Sequence, residues 1–220
     1  MKERLDLKHE TGDVILEVTL FYESGYSIDE TVTCLYDAID TNIIFFKGCN
    51  NFPTELTVTL LTHRSEYDEV LGWKSSVWGS GITRGNHIYT FHPDRRAIET
   101  SHSRETFRNT LTHEICHVFS SNIFGKELWW AREGVAQYVA KQNVLKPIEE
   151  NNIEHFITNS LHQNIRYSDF VNNYQGHQIS RRIGYVIGEK YGQETLRSFL
   201  GVSPNDASAR IKIAKLFNIS

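Results

Sequence analysis

The stretch Leu111–Phe119, LTHEICHVF, constrains this 220-residue chain more than any other. Helical residues advance about 100° each, so His113 and His117 would stand one above the other on one face. Phe107, Leu111, Ile115 and Val118 form an apolar stripe roughly opposite them. The histidine face otherwise carries Thr106, Thr110 and Ser120, which predicts a polar side turned toward a cleft. Two neutral imidazoles at this spacing can offer nitrogens to a zinc ion at about 2.0–2.1 Å. Glu114 is then placed to reach an activated water rather than the metal, as in a His-Glu-x-x-His metallohydrolase. A surface helix with two histidines and a glutamate would carry the same letters, so the rest of the chain has to decide.

A catalytic zinc takes three protein ligands and keeps one position open. The segment WWAREGVAQYV, Trp129–Val139, supplies Glu133 sixteen residues after His117. Between them Asn122 to Gly125 reads as a helix stop, with Gly125 suited to a left-handed position. The chain can then return as an antiparallel helix. Ala136 and Ala140 fall on the side of Glu133 and would allow close approach, whereas Val135, Tyr138 and Val139 point toward packing. The competing reading of Glu133 is an exposed glutamate in a first helical turn.

With these two segments the sequence resembles the gluzincin metallopeptidases, in particular the compact peptidase-MA-like group. There a His-Glu-x-x-His helix is followed by a helix beginning Trp-x-x-Glu-Gly-x-Ala-x-Tyr. The matching residues are His113, Glu114 and His117, then Trp130, Glu133, Gly134, Ala136 and Tyr138. The resemblance covers roughly residues 72–200. It implies that His113, His117 and Glu133 ligate one Zn2+, with Glu114 as general base. It also implies a donor to the developing oxyanion from the helical half. NNYQGHQISRRIGYVIGEKYG offers Tyr174, His177 and Tyr185, of which His177 is favoured over Tyr174. Relatives often carry a carboxylate where this chain has Gln137, whose amide oxygen could orient an imidazole only as a neutral partner. Cys116 reads as a small packing residue, since a fourth protein ligand would close the site.

The remaining segments predict strands first and helices after them. Val14 to Phe21 and Leu56 to Leu61 carry β-formers. Ser27 is the expected N-cap of a helix to about Phe46, with Glu30 as its capping-box partner. A helical stretch around Arg64 to Leu71 precedes the glycine-rich GWKSSVWGSGITRGN. Its Trp73 and Trp78 either pack or line a groove. Arg84-Gly85-Asn86 predicts a hairpin whose second arm, His87 to Phe91, resembles the family's edge strand and would pair with a peptide. Helices are expected over roughly 103–121, 128–143, 149–160, 177–191, 193–200 and 206–217. The expected architecture is α+β and zincin-like, with an active-site cleft between two subdomains. Residues 1–121 would hold a small mixed sheet and the zinc helix, and residues 122–220 would be all-helical.

A formal net charge of -4 gives no reason to expect nucleic acid or an anionic membrane as partner. The charged start MKERLDLKHETGD has no apolar signal core, and no apolar run approaches the roughly 20 residues of a membrane helix, so the cytoplasm is the expected location. Cys34, Cys49 and Cys116 lack paired or metal-type spacing and read as free thiols, with one disulfide as the alternative. The function expected is zinc-dependent hydrolysis of a peptide or protein substrate by water activated through Glu114. Endopeptidase action is preferred, because no Gly-x-Met-Glu-Asn segment is present to grip a free amine. The alternatives are a zincin-like peptide-binding or regulatory module with little turnover, and a helical protein without metal.

Overall fold

A computed structural model describes residues 1–125, 128–142, 176–202, 211 and 213–215. The chain divides into two compact units, Met1–Ile123 and Phe124–Ser220. The class is α+β, with a mixed five-stranded sheet in the order β1-β2-β3-β5-β4.

In the first unit, β1 (Lys2–Thr11) and β2 (Val14–Glu23) pair antiparallel around a tight turn at Gly12, whose φ of 60° suits glycine. The charged start therefore forms an edge strand. Its Leu5, Leu7 and His9 alternate with charged residues, and such charges discourage edge-to-edge association. Parallel pairing of β2 with β3 (Glu55–Leu61) requires a crossover, which α1 (Asp29–Phe45) supplies. Next come α2 (Arg64–Leu71), the hairpin β4 (Gly81–Arg84) and β5 (His87–Phe91), and α3 (Pro93–Glu99). A 3₁₀ turn, Arg104–Thr106, leads into α4 (Phe107–Phe124), the helix with the histidine pair.

Leu16, Val18 and Leu20 of β2 alternate onto the same sheet face as Leu56, Val58 and Leu60 of β3, and all six are buried. α1 and α4 meet through Phe46 and Phe119, whose rings lie 6.1 Å apart, and through Asn42. The fully buried Asn42 amide donates to the carbonyls of Ala38 at 2.9 Å and Thr112 at 3.1 Å. A second small core of Leu61, Tyr67 and Phe91 joins α2 to β3 and β5.

Three expectations are corrected here. α1 has Ile28 as its N-cap and no side-chain cap. Glu30 pairs with Arg104 instead of folding back, and the Ser27 carbonyl accepts from His92. His87–Phe91 is not an edge strand: it pairs parallel with β3 and antiparallel with β4, which leaves β4 at the sheet edge. Trp73 and Trp78 are 63% and 56% exposed rather than packed. Their segment is held from below, because the Arg64 guanidinium donates to Ser75 Oγ and the Gly79 carbonyl while stacking on Phe91.

In the second unit, α5 (Trp129–Val139), α6 (Gly176–Tyr191) and α7 (Gln193–Ser198) surround Trp130, Val135, Ile179, Ile183, Ile187 and Phe199. α5 and α6 meet at glycines. A Cβ at Gly134 would lie 2.6 Å from the Ser180 carbonyl oxygen, and one at Gly184 would strike the Gly134 carbonyl. The expected helices 149–160 and most of 206–217 lie outside the described residues. No described helix is long and apolar enough to cross a membrane.

Two predictions follow from this packing. Gly184→Ala overpacks the α5–α6 contact and should cost about 1–3 kcal/mol, seen as a Tm several degrees lower; an unchanged Tm would refute the contact. The second concerns His92, 2% exposed, whose Nδ1 accepts from the Asp94 amide while Nε2 donates to the Ser27 carbonyl. Only the neutral ring does both, and burial depresses its pKa, as it does for His87. The folded protein therefore binds fewer protons than the unfolded chain as pH falls through about 6.5, and stability falls with it until the folded values are passed. Tm measured from about pH 8 down to about pH 5 should drop less steeply in His92→Asn, which keeps a capping acceptor. Equal slopes would defeat this account.

Candidate metal and catalytic site

α4 is buried on nearly every side. Thr110 and Ser120, expected on an open polar face, are 6% and 1% exposed. For Thr110 the physical reason is Arg96 of α3, itself fully buried, which donates to Thr106 Oγ1 at 3.1 Å and to Thr110 Oγ1 at 2.9 Å; the Ser120 hydroxyl donates to the His117 carbonyl of its own helix at 3.4 Å. A guanidinium gives hydroxyl groups partners that water would otherwise supply, so this face can be covered. Burial lowers the Arg96 pKa to about 10, which still leaves it charged at neutral pH.

His113 and His117 project from successive turns. Their Nε2 atoms are 3.0 Å apart and their rings are nearly perpendicular, with centroids 4.6 Å apart. Two nitrogens bound at about 2.0–2.1 Å to a tetrahedral ion stand about 3.3 Å from each other. The pair is therefore already close to ligand spacing. Glu114 is 7% exposed and does not point to bulk water. The Thr83 hydroxyl of β4 donates to Glu114 Oε2 at 2.7 Å and contacts the Glu114 carbonyl at 3.1 Å. Behind β4, the Tyr67 hydroxyl donates to the Gly81 carbonyl at 2.8 Å. Burial, and after it the nearby Glu114 charge, pushes the Tyr67 pKa far up, so Tyr67 stays a donor.

In the second unit, Glu133 is 4% exposed, which rules out the reading of a solvated first-turn glutamate. Glu133 and Gln137 sit one turn apart on α5, and His177 and Arg181 one turn apart on α6. They pair in two rungs: His177 Nδ1 lies 3.1 Å from Glu133 Oε2, and Arg181 Nε donates to Gln137 Oε1 at 2.7 Å. The Gln137 oxygen, expected to orient an imidazole, thus receives a guanidinium. Burial lowers the Arg181 pKa. Tyr185 packs edge-on against Tyr138 at 5.4 Å, and Tyr174 lies outside the described residues.

Among the described residues, one group of metal-ligand type stands together. One ligand atom from each of His113, His117 and Glu133 falls within 4.8 Å of the others, a set of donors that can hold a metal ion. Two imidazole nitrogens and a carboxylate oxygen are chemically suited to zinc. Cys116 is buried at 1% exposure and stands outside that group. All three cysteines are free. Sequence reasoning gave Thr83 and Gly81 no role at the site, and it takes the basic pairs Arg95-Arg96 and Arg181-Arg182 for solvated faces, whereas Arg96 is fully buried and Arg181 donates to Gln137. None of Thr83, Gly81, Arg96 and Arg181 lies in a motif, and the contact that gives each its place spans from 10 to 44 residues of sequence.

No protein-family model and no curated protein matches the chain by sequence. Solved structures do match it by fold. The crystal structure of the M1 zinc metallopeptidase from Deinococcus radiodurans superposes with a TM-score of 0.54 at 12% sequence identity. The match covers 99% of this chain and 49% of that one, so this chain spans about half the length of that protein. At such low identity the likeness is one of fold, and the fold of this chain is zincin-like.

Proposed function

We propose that the chain is a zinc-dependent peptidase in which His113, His117 and Glu133 hold one Zn2+ and Glu114 is the general base. The observation that carries this reading is the meeting of two imidazoles and one carboxylate within 4.8 Å. The zincin-like fold, shared with a zinc metallopeptidase, supports it. When bound, zinc supplies a Lewis acid that polarises a carbonyl and makes water acidic. Glu114 accepts the proton of the attacking water and returns it to the leaving amine. His177 orients Glu133 through Nδ1. The donor to the developing oxyanion is His177 or Tyr174, with His177 favoured.

The substrate is an extended peptide, laid beside β4 rather than β5, since among the described residues β4 is the terminal strand on this side of the sheet. Endopeptidase action remains the preferred mode. A second reading, a zincin-like module that binds peptides with little turnover, draws on the neutral Gln137 and its engagement by Arg181.

Cleavage of a mixed peptide library by zinc-loaded protein tests the reading. Glu114→Gln should retain one zinc and lose about 10²–10⁴-fold in rate, whereas His117→Ala should lose both zinc and activity. Undiminished cleavage by Glu114→Gln would remove Glu114 from the mechanism. Zinc bound at full stoichiometry with no cleavage would favour the binding module. His177→Ala should weaken zinc affinity by about 10–100-fold, measured by competition with a chelator; unchanged affinity would show that His177 does not orient Glu133 toward the metal.

A further inference from the structure

The general base proposed above is gripped by the strand at the sheet edge. Gly81 and Thr83 alternate along β4, so both face the same side, and that side meets α4 at Glu114. Thr83 Oγ1 donates to Oε2 of the carboxylate at 2.7 Å. The other oxygen passes over Gly81, where a Cβ would lie 2.9 Å from Oε1 and 3.0 Å from both Glu114 Cγ and Thr110 Cγ2. The Gly81 backbone is not left-handed, so its conformation does not demand glycine. The space taken by the carboxylate does. Tyr67, 4% exposed, fixes this part of β4 by donating to the Gly81 carbonyl. The same Thr83 hydroxyl contacts the Glu114 carbonyl, which ties its grip on the side chain to the helix backbone.

We infer that Thr83 is the positioning residue for Glu114, and that Gly81 is glycine to leave room for that carboxylate. This rests on the general-base role proposed for Glu114. A glutamate carries three rotatable side-chain bonds, and proton transfer needs its oxygen within hydrogen-bond reach of the water, at about 2.6–3.2 Å. Anchoring Oε2 fixes the carboxylate plane and the place of Oε1. Because β4 is also the edge along which a peptide would lie, the strand that receives the substrate also sets the base that takes the proton from the attacking water. A displacement of about 1 Å in such a group can cost 10²-fold in rate.

The test compares zinc-loaded wild type, Thr83→Val, Thr83→Ser, Gly81→Ala and Glu114→Gln by kcat and KM on the peptide library. Zinc content, Tm and the crystallographic position of the Glu114 carboxylate are measured alongside. Valine is isosteric with threonine and suits a strand, so Thr83→Val should stay folded and keep its zinc, with a Tm a few degrees lower because the buried carboxylate loses a donor. Its kcat should fall about 10–100-fold with KM little changed, and its Glu114 carboxylate should spread over several positions. Thr83→Ser restores the hydroxyl and should recover most of kcat. Gly81→Ala should displace the carboxylate with the hydroxyl intact and lower kcat as well. An undisplaced Glu114 with wild-type kcat in Thr83→Val, while Glu114→Gln is inactive, would overturn the inference and leave the peptidase reading standing. Cleavage that is absent from wild type, or indifferent to Glu114→Gln, would overturn the peptidase reading and this inference with it.

Discussion

Everything distinctive in the first unit depends on one constraint: a helix that bears ionisable side chains is buried on almost every face. A buried polar group without a hydrogen-bond partner costs about 1–3 kcal/mol, so α4 can exist only with partners supplied by other elements. They come from distant parts of the sequence. Asn42 of α1 donates to the Thr112 carbonyl, Arg96 of α3 donates to Thr110, and Thr83 of β4 donates to Glu114. Each contact fixes the rotation of α4 about its own axis. Together they determine which way His113, Glu114 and His117 point, a matter that the intrinsic helix propensity of the segment leaves open.

The second unit meets a related demand by a different device. Gly134 and Gly184 let α5 and α6 approach until backbone touches backbone. With the helices this close, the pairs Glu133–His177 and Gln137–Arg181 form as successive rungs one helical turn apart. The lower rung joins a neutral amide to a cation. The depressed pKa of Arg181 reflects the burial of that charge.

Periodic and turn-forming segments were legible before any coordinates. The helix around His113 and His117, the strand from Val14, the α2 segment from Arg64 to Leu71 and the left-handed Gly125 all follow from local pattern, and the structure has them. Local pattern failed where a distant residue competed for a group. Ser27 and Glu30 have the letters of a capping box, yet Arg104 takes Glu30 across 74 residues. His87–Phe91 has the look of an edge strand, yet β3 pairs with its far side. The charged start hid β1, because an edge strand in water tolerates charges that an interior strand would not.

The sequence by itself determined the chemistry on offer: two imidazoles one turn apart, a glutamate beside the first, and a second glutamate on the next helix behind a glycine stop. It did so because helical periodicity and metal-ligand chemistry are both properties of short spans. Only the tertiary structure decided how those groups are held. The partner of Glu114 lies 31 residues away on an edge strand, and the partner of Glu133 lies 44 residues away on another helix. Such pairings arise from the packing of whole elements, to which no short stretch of residues has access.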